Sequence, residues 1–410
     1  MSDLGLRAVS AAGLGVMIGL AWLCSSDRRR VPWRTVLYGT ALQLGLALLA
    51  LDTEPGHRFF AGANDAVNAL IGYVDEGSRF VFGALFDAGF SFVTHVLPTI
   101  VFMGSLFSVL YHLRLVQPVV RLMAVGLERT LGTSGAESLQ AVANIFVGMV
   151  EAPLLVRPYL ARMTQSELFS VMTTGMASTA GSVLVAYVQM LGGGSFAGHL
   201  VTASFLSAPA GIVIAKIMVP ETATPETAAA GASTVARTSL NVVDAASLGA
   251  VDGLRLSGYV GAMLIAFVSL VALANAGLSG LGSVAGVPDL TFQRILGWIG
   301  APLALAMGVP WHDATQVGSL LGVKTVLNEF LGYQQLGSLI RERAISERSA
   351  VIASYALCGF ANFGSLAILL GGLGGMAPER RGDVARLGLR SIVSGSLASF
   401  MTACVAGVLL

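Results

Sequence analysis

The stretch Ala143-Asn144-Ile145-Phe146-Val147-Gly148-Met149-Val150-Glu151-Ala152-Pro153-Leu154 is too short to cross a bilayer, and Gly148 and Pro153 break it as a helix. A second stretch of the same kind, Lys324-Thr325-Val326-Leu327-Asn328-Glu329-Phe330-Leu331-Gly332-Tyr333, lies in the other half of the chain. Each reads as the tip of a re-entrant hairpin: helix, unwound turn, helix. Such irregular backbone is tolerated at membrane depth only where protein or a water-filled cavity covers it. Each tip carries an Asn and a Glu. An ionisable side chain at membrane depth costs several kcal/mol and marks a functional site by default. Each hairpin is followed by an apolar run with small and polar residues in its middle, GMASTAGS at 175–182 and CGFANFGS at 358–365. One module thus occurs once in each half. Paired, interrupted segments in corresponding places point to the midplane site of a secondary transporter.

The rest of the composition agrees with a membrane setting. Only 11% of the 410 residues are charged, 55% are hydrophobic, and the chain holds 50 glycines. Mean hydropathy is +0.77. There is too little charge to coat a water-facing surface, and too much apolar content for disorder. A formal net charge of +1 gives no electrostatic case for nucleic acid. Stretches free of Asp, Glu, Lys and Arg occur at 8–26, 35–51, 88–113, 168–215, 256–288, 295–312, 349–378 and 391–410. A helix needs about 20 apolar residues to span a bilayer. These runs predict an all-α polytopic protein with about eight transmembrane helices, two re-entrant hairpins and interfacial helices. They are continuous rather than alternating, so an outer-membrane barrel is not expected.

The expected organisation is N-terminal spans and an interfacial helix at 1–90, then a first half at 91–220 with its hairpin at about 134–163. An Ala/Thr-rich linker follows at 221–250, then a second half at 251–410 with its hairpin at about 312–345. Residues 62–86 and 114–140, the latter including Glu137, mix charge with apolar positions as surface-lying helices do. The first run lacks a basic leader, so it is not expected to be a cleaved signal. Arg28, Arg29, Arg30 and Arg34 follow it, and Arg380, Arg381, Arg386 and Arg390 precede the last run. By the positive-inside rule both clusters are cytoplasmic, and both termini lie outside.

Blander readings apply to several residues. Ser178, Ser182, Gly359 and Gly364 serve helix packing as readily as function. Lys324 is expected to neutralise a nearby carboxylate. His95, His112, His199 and His312 lack metal-ligand spacing, and Cys24, Cys358 and Cys404 lie far apart in apolar runs. No HExxH, GxSxG or Walker A motif occurs. An intramembrane enzyme using Glu151 and Glu329 is therefore the weakest reading. A passive pore stays open, because polar hairpins also line filters.

Several long motifs, in order, resemble the concentrative nucleoside transporter family. They are ANIFVGMVE followed by APLLVRPYL (143–160), GMASTAGSVLVAY (175–187), AKIMVPET (215–222), GVKTVLNEFLGY (322–333), LCGFANFGS (357–365) and APERRGDVARLGLR (377–390). The resemblance covers about residues 90–410. It implies a homotrimeric inner-membrane symporter, not an enzyme, that imports nucleosides by an elevator-like movement. No cofactor is implied beyond a coupling ion, sodium or a proton. Matched position by position, Glu329, Asn362 and Ser365 would bond the ribose hydroxyls, with Asn328 beside them. Val183 and Phe360 would pack around the base. Asn144, the Val147 carbonyl, Ser178 and the Thr179 carbonyl would form a sodium site, a set of oxygens that suits a hard cation. The family usually shows Gly-Gln-Thr-Glu at the first tip, whereas Met149 and Val150 stand here between Gly148 and Glu151. Loss of two hydrogen-bonding side chains predicts altered base discrimination. Tyr259 also replaces a common Asn and is expected to reshape the pocket.

Overall fold

Continuous apolar runs fold as helices because a helix satisfies its own backbone hydrogen bonds. In the computed structural model, which describes residues 3–193, 195–226, 239–284 and 290–410, the elements are helical. The first runs become α1 (Asp3–Leu23) and α2 (Trp33–Leu51). Thr53 then caps the amphipathic α3 (Glu54–Phe82), its side chain accepting from the Gly56 N–H. A short α4 (Ala84–Asp87) and a π-turn lead into α5 (Leu97–His112), and α6 (Val116–Leu131) ends at the left-handed Gly132.

The first hairpin is α7 (Gly135–Phe146), a turn, a 3-10 segment (Ala152–Val156) and α8 (Arg157–Leu160). Its second arm begins as 3-10 rather than α-helix, where Pro153 removes a backbone donor. The long apolar run splits into α9 (Gln165–Ala177), α10 (Gly181–Met190) and α11 (Phe196–Met218). The second half comprises α12 (Val242–Val284), α13 (Phe292–Ala306), the second hairpin of α14 (Ala314–Val326) and α15 (Glu329–Arg341), then α16 (Glu347–Leu357), α17 (Phe363–Met376) and α18 (Arg381–Leu409). α12 starts at Val242, inside the segment expected to be a linker. Alanines at 245, 246 and 250 with no proline favour helix there. Residues 227–238 of that segment lie outside the described residues.

Among the described residues, seven helical segments are long and apolar enough to cross a membrane. They divide by burial. In the apolar 18-residue stretch of each, 89% of residues are buried in Gln165–Met190 and Phe196–Met218 and 83% in Pro378–Leu409, against 17% in Val242–Leu281. The interior is therefore built from α9, α10, α11 and α18 together with the buried α7 and α16, whereas α12, α5, α2 and α1 are the sparsely buried spans.

Both hairpins are closed at their bases by polar contacts. Ser134 and Glu137 form a capping box at the start of α7, and Thr164 and Glu167 form one at the start of α9. Lys216, 5% exposed on α11, joins them. Its ammonium lies 2.9 Å from Glu137 and donates to Ser166 at 3.1 Å. Glu137 is thus buried in an ion pair and not surface-lying as its spacing suggests. At the second hairpin, one oxygen of Asp313 accepts from the Ser346 N–H at 3.0 Å and from the Ser346 and Ser349 hydroxyls at 2.7 and 2.6 Å. These bonds hold the Asp313 carboxyl below the usual carboxylate range, although burial pushes the other way.

Candidate functional site

The two interrupted runs break at 178–180 and 358–362, and the breaks meet. Thr179 Oγ1 lies 3.5 Å from the Cys358 Sγ. A Cβ on Gly359 would sit 2.9 Å from the Ala177 carbonyl oxygen, so a glycine is required for this close approach. Broken helices leave bare backbone groups, with positive ends at helix N-termini and negative ends at C-termini.

At the second hairpin, Asn328 caps α15, its side-chain oxygen accepting from the Leu331 N–H at 2.9 Å. Asn362 caps α17 in the same way, accepting from the Ser365 N–H at 2.7 Å. The Asn362 amide then donates to Glu329 at 2.8 Å, and Glu329 accepts a second bond from the Tyr187 hydroxyl at 3.0 Å. Glu329 is 3% exposed. Tyr187 stacks on Tyr333 with ring centroids 4.4 Å apart, and Tyr333 donates to the Ser354 carbonyl at 2.8 Å. An aromatic brace therefore fixes the carboxylate between two capped N-termini. Each carboxylate oxygen keeps a free lone pair, so the group can still accept from an incoming hydroxyl.

At the first hairpin, Gly148 has φ +111°, a conformation that L side chains rarely adopt. A Cβ there would lie 3.1 Å from the Ala180 Cβ and from the Glu151 Oε2. The tip thus abuts the 178–180 break. Asn144 is fully buried and donates from Nδ2 to the Thr174 carbonyl at 2.9 Å, while its Oδ1 has no hydrogen-bond partner. Such a group normally costs about 1–3 kcal/mol. Ser178, also buried, donates to the Thr179 carbonyl at 3.2 Å and keeps acceptor capacity. An orphaned amide oxygen, a hydroxyl and helix-end carbonyls fit a hard cation.

Three family models match the chain in succession: Na+ dependent nucleoside transporter N-terminus over residues 12–85, Nucleoside recognition over 93–194, and Na+ dependent nucleoside transporter C-terminus over 199–407. The chain belongs to the concentrative nucleoside transporter family. A Bacillus subtilis (strain 168) protein named Uncharacterized transporter YutK is 44% identical over 399 residues, 97% of this chain and 98% of its own. Mouse solute carrier family 28 member 3 is 42% identical over 415 residues, and this chain spans 58% of its length. The structure of CNTnw in an inward-facing substrate-bound state matches with a TM-score of 0.92 at 44% identity, over 98% of both chains. A CNTnw variant in an outward-facing state matches with a TM-score of 0.94 at 43% identity, over 99% of both. The protein is a multi-pass, all-α membrane transporter, and its family is not one of enzymes.

Within this transporter the expected site residues fall into groups. Glu329, Asn362 and Ser365 are joined by hydrogen bonds, and Asn328 caps α15 through Leu331. Val183 is buried on α10, and Phe360 is half-buried in the second break. Asn144, Val147, Ser178 and Thr179 line the junction of the first tip and the first break. Met149 is 7% exposed, and a Cβ on Gly175 of α9 would lie 3.3 Å from its Cβ. Val150 faces Gly372 of α17 in the same manner, also at 3.3 Å. The two carboxylates differ: Glu329 is buried, but Glu151 is exposed and folds onto its own tip. Lys324 is fully buried and donates to the Ala356 carbonyl at 2.8 Å, and its charge balances the Glu329 carboxylate across the site without a direct bond. Tyr259 is 71% exposed on α12 and does not line the buried cluster. Tyr187 was not singled out by sequence. A tyrosine in an apolar helix is unremarkable there, and only its place inside the GMASTAGSVLVAY motif signals it.

Proposed function

We propose that the chain is a cation-coupled symporter, sodium favoured, that imports nucleosides by elevator-like alternating access. The observation that carries this reading is Glu329, buried and doubly hydrogen-bonded between the capped N-termini of α15 and α17. Ribose hydroxyls would donate to Glu329 and accept from Asn362 and Ser365, with Asn328 alongside. The base would lie against Val183 and Phe360, towards the first tip. Of the tip residues only Glu151 offers hydrogen bonds, since Met149 and Val150 are apolar and packed on α9 and α17. Sodium would be held by Asn144, Ser178 and the carbonyls of Val147 and Thr179. The orphaned Asn144 oxygen supports that assignment. A proton is the alternative coupling ion.

The inward-facing and outward-facing structures of CNTnw support alternating access for this chain. The arginine clusters support an inner-membrane placement with both termini outside the cytoplasm. The sparse burial of α12 and α5 supports their use as an outer, lipid- or subunit-facing layer in a homotrimer. The test is uptake of radiolabelled uridine and adenosine into proteoliposomes, with and without a sodium gradient. Accumulation above the external concentration is expected. Equilibration without accumulation would instead establish a passive pore.

A further inference from the structure

The first hairpin packs on α9 along a polar seam. Glu137, Gln140 and Asn144 on α7 are spaced i, i+3, i+7, and Ser166, Ser170 and Thr174 on α9 are spaced i, i+4, i+8, so each set lines one face of its helix. All six are buried, none more than 2% exposed. The two faces meet along their length. Asn144 donates to the Thr174 carbonyl, the Thr174 hydroxyl bonds the Gln140 amide, and Lys216 ties Glu137 to Ser166. Leu139, Val142 and Ile145 carry the other sides of α7 into the apolar core.

Polar groups buried in this way are normally paired. Here Asn144 Oδ1, Gln140 Nε2 and Ser170 Oγ all have no hydrogen-bond partner. The Thr174 hydroxyl has one hydrogen and lies 2.7 Å from both the Gln140 amide oxygen and the Ser170 carbonyl. With that hydrogen given to the carbonyl, the Gln140 amide turned over donates to Thr174 and frees its own oxygen. The seam then offers a row of oxygens from Asn144 to Glu137, about 10 Å along α7. Its far end is acidic. Lys216 lies 2.9 Å from Glu137 and 3.6 Å from Glu221, and Thr164, capped by Glu167, donates to Glu221 at 2.8 Å. Three carboxylates thus gather around one ammonium, and Glu221 opens this end to solvent, its side chain 24% exposed. Arg380, which donates to the Met163 carbonyl beside it, is paired with Asp383. Arg390 donates to the carbonyls of Cys24 and of Met218 at the end of α11, so the acidic end lies on the side of the arginine clusters, the cytoplasmic side by the positive-inside rule.

We propose that the α7–α9 seam is the route by which the coupling cation leaves the Asn144 site for the cytoplasm. The oxygens of Asn144, Gln140 and Ser170 stand in for its hydration shell in turn, and the acidic end receives it. Parting α7 from α9 along this seam uncovers groups that water satisfies, whereas parting them along an apolar face would uncover hydrocarbon. This rests on the symporter reading and deepens it, since the way out is distinct from the site that holds the ion.

The experiment follows radiolabelled sodium on the purified full-length protein by rapid filtration. Gln140→Leu and Ser170→Val line the seam with apolar groups and leave Asn144, Ser178 and the carbonyls of Val147 and Thr179 in place. Each is expected to slow both association and dissociation of sodium on the order of tenfold, with the dissociation constant and the sodium dependence of uridine binding as in the wild type. A residue of the route raises the barrier equally in both directions, whereas a ligand of the ion shifts the equilibrium. Wild-type rates in both variants would overturn the proposal, the ion then leaving another way. A changed dissociation constant would also overturn it, because Gln140 and Ser170 would then belong to the ion site itself. Ser170→Cys, close to serine in size, decides where those variants do not fold. In a Cys24→Ser background in proteoliposomes, a small cationic methanethiosulfonate applied from the cytoplasmic side is expected to modify position 170, faster without sodium than with it. A thiol there that the reagent never reaches from that side would overturn the route. A wild type that binds no sodium and accumulates no nucleoside removes the symporter reading and this route with it, an outcome distinct from a sodium-coupled protein whose variants keep wild-type rates.

Discussion

Glu329 already accepts from Tyr187 and Asn362, so in the proposed site substrate hydroxyls would meet a carboxylate whose direction is fixed in advance. Replacing it with Gln removes the charge and turns an amide N–H2 towards one of two existing donors. Hydrogen bonds to charged groups contribute about 1.5–3 kcal/mol. Glu329→Gln is therefore expected to weaken nucleoside binding by roughly ten- to a hundredfold or more, measured by calorimetry on purified protein. Tyr187→Phe keeps the ring stacked on Tyr333 and deletes one neutral donor. It is expected to cost about 1 kcal/mol, roughly fivefold in the same measurement. Equal losses in the two variants would mean that Glu329 acts only through its brace. At this scale the sequence was informative where a residue type was out of place. Glu329 and Asn362 stood out against apolar runs, and so did Glu151. Exposure was not legible: Glu151 lies open at the turn of the first tip and Glu329 is buried. Tyr187 became visible only once α10 lay beside α15.

The hairpins and broken helices were legible as elements, since Gly, Pro and polar residues interrupt otherwise apolar runs. What fastens each hairpin was not, because Lys216 with Glu137, and Asp313 with Ser346 and Ser349, are pairings between segments distant in sequence. Asp313 gives the second fastening a pH dependence. Its folded carboxyl lies below the usual carboxylate range, with Ser349, Ser346 and the neighbouring His312 all favouring the charged form over burial. A depressed carboxyl contributes stability that is fully present above its unfolded value, about 4, and is lost as pH falls through the folded one. Thermal stability is thus expected to fall from about pH 4 downwards, and Asp313→Asn is expected to flatten that acid limb while lowering the neutral-pH melting temperature. Melting curves at stepped pH check both. The apolar first tip carries a different expectation. Met149 is packed on α9, so Met149→Gln puts an amide into an apolar contact and is expected to destabilise by about 1–3 kcal/mol. Val150→Thr, half-buried and nearly isosteric, is expected to stay within about 1 kcal/mol. If the double change also leaves a nucleoside panel in its original order of preference, the tip does not read the base.

Across the whole molecule, the scarcity of charge that marks the spans also isolates the site, because away from the fastening charges Glu137, Glu167 and Lys216 the interior helices carry their polarity as hydroxyls, amides and helix ends. The first break, beside the oxygens proposed to hold the cation, touches the second break, beside the proposed nucleoside site, through Thr179 and Cys358. Filling one site therefore fixes backbone that the other site uses. Binding free energies coupled in this way are reciprocal: the factor by which sodium raises nucleoside affinity equals the factor by which nucleoside raises sodium affinity. Coupling of about 1–3 kcal/mol, roughly 5- to 150-fold, is the expected range. Asn144→Ala removes the orphaned oxygen while leaving Glu329, Asn362 and Tyr187 in place. Its nucleoside affinity is expected to match that of the sodium-free wild type and to be insensitive to added sodium. Titrations of nucleoside at several sodium concentrations, for both proteins, measure the two factors. A variant that keeps the full sodium response would place the coupling ion somewhere other than the junction of the first tip and the first break.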